Sequence, residues 1–255
     1  MSSYIPPIER PERTFTLLVQ RFDPDRDTTP RWQSFSVPWV PTMTVVEALE
    51  WLADEGHYVA FRANCREFTC GSCAMRIDGK PALACDTPLA DGMRLEPLGR
   101  YPVQRDLIVD TSPVRAKWRQ LKLWPHRTSP EPLRNVPRST LDAWHRSYAR
   151  CIECYACLDS CPASASEQSA FSGPMWMLQI ARQHSHPLDG ADRLSQAIGE
   201  GLGRCVSCYE CAEVCPVGLS PVLEIQQIRR QVIVDRLKRL LAGLGLGPVS
   251  WKGSP

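Results

Sequence analysis

Alternation of apolar and polar side chains marks the first readable part of the chain. In Thr14 to Phe22, TFTLLVQRF, Phe15, Leu17 and Val19 occupy every second position, the period of a half-buried strand. Phe35 to Val40 reads as a second strand, and the turn-rich FDPDRDTTPR between the two makes them a hairpin. The period then changes. Val45, Leu49 and Leu52 share one helical face, and Thr44 and Glu47 stand three apart as in the capping box that starts a helix. FRANCREFTCGSC, Phe61 to Cys73, has no periodicity, which suits a loop wrapped around something. A short strand returns at Ala74 to Ile77. Asp78-Gly79 then favours a tight hairpin turn leading back through Pro81 to Cys85. Met93 to Leu98 supplies the last strand of a small sheet with one helix packed on it.

Past residue 110 the pattern breaks. Pro113, Pro125, Pro130, Pro132 and Pro137 stand among many charges, the composition of a connection between domains. Beyond it strand-like alternation is gone, and Pro174 to Gln183 and Val222 to Leu241 read as helices. The expected organisation is a first domain over 1–112, a proline-rich linker over 113–140, a helical domain over 141–242 and a tail over 243–255. The length of 255 residues suits two modest domains.

Composition narrows the function. Thirty basic against 28 acidic residues leave a formal charge of +2, which directs the chain to neither a nucleic acid nor an anionic membrane surface. Residues 1–15 lack the apolar run of a signal peptide, and no segment approaches the ~18 apolar residues of a membrane span, so a soluble, cytoplasmic protein is expected. Twelve cysteines in a reducing compartment point to metal rather than disulfides. The histidines at 57, 126, 145, 184 and 186 show no pairing and read as surface or packing residues. Among catalytic motifs, no Gly-rich nucleotide loop and no nucleophile elbow is present, so no catalytic residue is expected. Arg229, Arg230, Arg236, Lys238 and Arg239 read as a solvated basic helix face, with docking of a partner as the alternative.

The cysteines fall into patterns. Cys65, Cys70, Cys73 and Cys85 give C-x4-C-x2-C with a fourth cysteine further on, the spacing by which plant-type ferredoxins hold a [2Fe–2S] cluster. Soft thiolates match iron–sulfur cores, and Gly71 lets backbone pass close to them. CIECYACLDSCP, Cys151 to Pro162, and CVSCYECAEVCP, Cys205 to Pro216, repeat C-x2-C-x2-C-x3-C-P with a tyrosine after the second cysteine. In two-cluster ferredoxins the fourth cysteine of each such run ligates the other cluster. The expected sets are therefore Cys151, Cys154, Cys157 and Cys215 for a [4Fe–4S] cluster, and Cys161, Cys205, Cys208 and Cys211 for a second cubane-type cluster. Four-cysteine zinc sites are the rival reading.

Together these features resemble the iron–sulfur subunit of succinate dehydrogenases and fumarate reductases. NCREFTCGSCAMRIDGKPALAC, PLGRYPVQRDLIVD, CIECYACLDSCP and CVSCYECAEVCPVGLSP carry the likeness over nearly the whole chain. It implies an α+β protein: an N-terminal β-grasp plant-type [2Fe–2S] ferredoxin domain followed by an all-α, bacterial ferredoxin-like two-cluster domain. It also implies an electron-transfer role. FAD would sit only in a partner flavoprotein subunit acting on a dicarboxylate, and single electrons would pass to or from a quinone at a membrane anchor or another acceptor. A freestanding polyferredoxin-like carrier, or a wire for a flavoprotein with a different substrate, is the alternative. The complex would be cytoplasmic, or peripheral on the cytoplasmic face of the inner membrane through its partners.

Two departures from the resemblance stand out. The family's second cluster is usually [3Fe–4S], with an apolar residue where this chain has Cys208, so a second [4Fe–4S] cluster is expected here, the alternative being a [3Fe–4S] cluster beside a free Cys208 thiol. Relatives often place a tryptophan shortly after the first Cys-Pro and a histidine after the cysteine matching Cys205. Here those neighbourhoods read ASASEQ, Ala163 to Gln168, and Val206.

Overall fold

The computed structural model describes residues 13–127, 136–148, 150–165 and 169–244. Residues 1–12, the centre of the expected linker, Ser166, Glu167 and Gln168 of ASASEQ, and the tail beyond 244 lie outside them, as does the side chain of His145. The chain divides into two compact units. One runs to Lys117 and takes in Ile152–Ser160; the other comprises Trp118–Cys151 and the chain from Cys161 onward.

In the first unit the opening alternation forms β1 (Thr14–Arg21), which buries Phe15, Leu17 and Val19. It pairs antiparallel with β2 (Arg31–Pro38), which starts four residues before the expected Phe35. Next comes α1 (Val45–Asp54), with both halves of the capping box formed: Glu47 N–H donates to Thr44 Oγ1, and Thr44 N–H to Glu47 Oε2 at 2.7 Å. Val45, Leu49 and Leu52 are buried, each burial contributing roughly 1.5–3 kcal/mol. The hairpin β3 (Ala74–Ile77) and β4 (Lys80–Leu83) turns at Asp78 and Gly79, both left-handed. With β5 (Met93–Glu96) they complete a mixed sheet of order β2-β1-β5-β3-β4, in which β5 runs parallel to β1. A further hairpin, β6 (Val103–Arg105) with β7 (Ile108–Val109), follows. The first part of the stretch read as linker forms a helix, α2 (Ser112–Leu121).

The described remainder is helical: α3 (Arg138–Tyr148), α4 (Ala156–Asp159), α5 (Pro174–His184), α6 (Arg193–Gly199), α7 (Glu210–Glu213) and α8 (Pro221–Gly243). In the second unit α5 is buried almost all round and packs against α6 and α8. Its Met175, Met177 and Ile180 meet a core completed by Ile225 and Ile228 from the first half of α8. Arg193, at the start of α6, is buried yet fully occupied. Its guanidinium pairs with Asp189 at 2.7 Å and donates to the carbonyls of Lys122 and Trp124. A buried charge held this way fixes the chain entering the helical unit.

Candidate iron–sulfur centres

Cys65, Cys70, Cys73 and Cys85 all lie in the first unit, on the loop before β3 and just after β4. Arg66, Phe68 and Gly71 are left-handed, so the loop coils tightly and turns N–H groups onto sulfur. Glu67 N–H donates to Cys65 Sγ at 3.4 Å and Phe68 N–H to Cys85 Sγ at 3.3 Å. Cys73 and Cys85 are buried with their sulfurs 3.3 Å apart. The Thr69 hydroxyl, helped by the Glu67 amide, draws the Cys65 thiol down to about 6, while burial pushes Cys73 up to about 12. A buried thiol of this kind releases its proton to solvent when its sulfur binds iron, so the donor set fits a cluster.

The repeated runs share a backbone as well as a spacing. In the first, Glu153 and Tyr155 are left-handed and α4 follows; in the second, Ser207 and Tyr209 are left-handed and α7 follows. Left-handed residues at alternate positions are the nest-forming conformation that directs successive N–H groups at an anionic group, here suited to a sulfide-bearing core. Spacing alone does not reveal this, because none of the four is glycine.

Cys161, Cys205, Cys208 and Cys211 line one cavity of about 300 Å3 including its open mouth, walled by Phe171, Pro174, Val206, Tyr209 and Ile225. The structure thus brings the last cysteine of the first run to the first three of the second. Cys161 and Cys211 are buried and Cys208 is exposed. Burial pushes the Cys211 thiol up to about 12, and the neighbouring Cys161, Cys205 and Cys208 add to the effect. Ser207 N–H donates to Cys205 Sγ. The sulfur-lined, otherwise apolar cavity with an inward N–H fits a cubane-type cluster. Of the remaining set, Cys154 and Cys157 lie in the first unit, Cys151 and Cys215 in the second, and Cys215 Sγ accepts from Leu219 N–H at 3.3 Å.

One expectation about this region is corrected. Arg229, read as part of a solvated face, reaches inward and donates to Cys205 O at 2.6 Å and Leu202 O at 2.9 Å, pinning the loop that enters the second run. Sequence reading also passes over Asp159, which is buried on the first unit and paired with Arg76 at 2.7 Å.

A β-grasp sheet with a four-cysteine loop, joined to helices that gather cysteines from two repeated runs, defines an iron–sulfur electron-transfer protein. Residues 16–116 match a 2Fe-2S iron-sulfur cluster binding domain, and residues 147–219 a 4Fe-4S dicluster domain. The chain is 34% identical to the fumarate reductase iron-sulfur subunit of Mycobacterium tuberculosis, over 90% of this chain and 97% of that protein. It is 30% identical to the succinate dehydrogenase iron-sulfur subunit of Bacillus subtilis, over 86% and 92%. One subunit of the fumarate reductase (CoM/CoB) of Methanothermobacter marburgensis is 35% identical over 91% of this chain, which spans only 45% of that protein's length. A chain of the Mycobacterium smegmatis Sdh1 complex, solved in the apo form, superposes with a TM-score of 0.78 at 28% identity, covering 88% of this chain and 97% of that one. The chain belongs to the succinate dehydrogenase/fumarate reductase iron–sulfur subunit family.

Proposed function

We propose that this chain is the electron-transfer subunit of a succinate dehydrogenase/fumarate reductase-type complex. It passes single electrons between an FAD-containing subunit that oxidises or reduces a dicarboxylate and a quinone or other acceptor. The observation that carries the reading is the cavity shared by Cys161 and Cys205, Cys208 and Cys211, because the last cysteine of one run joined to the first three of the other is the crossed pattern of a two-cluster ferredoxin. In this reading Cys65, Cys70, Cys73 and Cys85 hold a [2Fe–2S] cluster. Cys151, Cys154, Cys157 and Cys215 hold a [4Fe–4S] cluster. Cys161, Cys205, Cys208 and Cys211 hold a second [4Fe–4S] cluster, with Cys208 on its solvent edge.

The clusters supply reversible one-electron chemistry when bound. The chain's own residues hold sulfur in place, direct N–H groups at it and keep water off its inner side, with Phe171 and Ile225 almost wholly buried against the second cavity. Among the described residues no helix is long and apolar enough to cross a membrane, so attachment to one would go through a partner subunit. Val206 and Ala163 on the cavity wall offer no hydrogen bond from their side chains to a quinone oxygen, which favours a different acceptor or a quinone held elsewhere. Anaerobic affinity purification tests the reading. A stoichiometric FAD protein that reduces or oxidises a dicarboxylate and exchanges electrons with this chain is expected; a monomer serving unrelated reductases would replace the reading with the polyferredoxin one.

A further inference from the structure

We propose that Gly71 and Asp159 are positioning residues that fix Cys154 and Cys157 against the [2Fe–2S] loop, and thereby set the separation over which an electron passes between the first two clusters. The inference rests on the ligand sets proposed above. Its basis is the strap Ile152–Ser160, which belongs to the same compact unit as the sheet and is held there at both ends.

At the first end lies Gly71, one residue after Cys70 and left-handed at φ +69°. A Cβ at this position would stand 2.8 Å from Ile152 O and 2.9 Å from Cys154 Cβ, contacts that side chains do not make. The absent side chain therefore lets the [2Fe–2S] loop touch the backbone that carries Cys154. At the other end Asp159, with a side chain 0% exposed, closes a lock. Its Oδ2 accepts from Arg76 Nε and its Oδ1 from Gly99 N–H, both at 2.7 Å, and its carbonyl accepts from Arg100 Nε at 3.4 Å. Arg76 sits on β3, the strand that leaves Cys73, so the lock ties α4, with Cys157, to the far side of the same loop. Tyr155, between the two cysteines, packs on Tyr101 with ring centroids 5.9 Å apart. Two hydrogen bonds to a buried carboxylate and one backbone contact admit little sliding, and electron transfer falls off exponentially with separation, so small displacements of the strap would be read as large changes in rate.

The test compares the full chain with Gly71→Ala, Asp159→Ala, Arg76→Ala and Arg76→Lys, each assayed for iron and acid-labile sulfide and examined by electron paramagnetic resonance in the dithionite-reduced state. In the wild type, the reduced four-iron cluster should speed relaxation of the reduced [2Fe–2S] signal, a distance-dependent effect. Gly71→Ala, Asp159→Ala and Arg76→Ala are expected to keep the [2Fe–2S] signal and lose that enhancement or lose the four-iron cluster alone, while Arg76→Lys, which can still face Asp159, retains both. Wild-type enhancement in all three alanine variants at full cluster content would overturn the inference and leave the ligand sets standing. Loss of every cluster in Arg76→Lys as in Arg76→Ala would also overturn it, as a general folding role. A wild type without a four-iron signal would overturn both the inference and the ligand sets.

Discussion

Cys208 decides the character of the second centre. It lines the same cavity as Cys161, Cys205 and Cys211, yet it is exposed where Cys161 and Cys211 are 7% accessible, so it holds the edge of the site that faces water. Cys208→Ala is expected to convert the second cluster to [3Fe–4S] while leaving the other two in place. The site would then carry one thiolate fewer, and its reduction potential should rise. Electron paramagnetic resonance of the oxidised, strictly anaerobic protein reads the first change and a redox titration the second. A full-stoichiometry three-iron signal in the unaltered protein would remove Cys208 from the ligand set. The cysteine spacing makes this residue visible in the sequence. Asp159 and the inward turn of Arg229 are not visible there, because each acts through a partner far along the chain: Arg76 for the first, Leu202 and Cys205 for the second. A lone acid or base in a charged sequence carries no mark of such a partner.

At the scale of elements, local chemistry that repeats within a few residues is legible. The Thr44–Glu47 box, the β1 alternation and the Asp78-Gly79 turn are all present as read. Thr44→Ala should cost about 1 kcal/mol of the first unit's stability, measured by anaerobic denaturant unfolding. Asp192 caps α6 in the same manner: the Ser195 hydroxyl and then its amide hold the Asp192 carboxyl below the usual carboxylate range. A depressed folded value means that the cap's contribution is complete above the ordinary carboxylate pKa and is lost as pH falls through the lowered one. Acid unfolding of Asp192→Asn should accordingly show a weaker pH dependence below about pH 4 than the unaltered protein. The helix α2 escapes a sequence reading for a physical reason. Pro113 looks like a linker signal, but proline is well tolerated in a helix's first turn, where its missing N–H would have no partner anyway. Pro174 and Pro221 open α5 and α8 in the same way. The β6–β7 pair, three and two residues long, is too short to show a period.

For the whole molecule, the order of a sheet domain followed by helices can be read from the chain, but the membership of Ile152–Ser160 cannot. That segment looks like part of the helical half in composition and spacing, and it takes the Gly71 contact, the Asp159 lock and the Tyr101–Tyr155 packing to assign it to the sheet. The clusters are also expected to hold the fold. Cys161 and Cys205–Cys211 come from runs far apart in sequence, so iron binding adds its free energy to the folded helical unit. Stripping the iron with a chelator should therefore lower and broaden the thermal transition of the protein, seen by calorimetry; an unchanged transition would count against ligands shared by the two runs. The strap has a consequence for how such a chain is made and recombined. During synthesis the sheet can be translated in full and still be waiting for Asp159, the partner of Arg76 Nε and Gly99 N–H, which the ribosome has yet to deliver. A gene cut after residue 117 would encode that waiting state for good, and any exchange of ferredoxin halves between relatives would have to carry Ile152–Ser160 across with it.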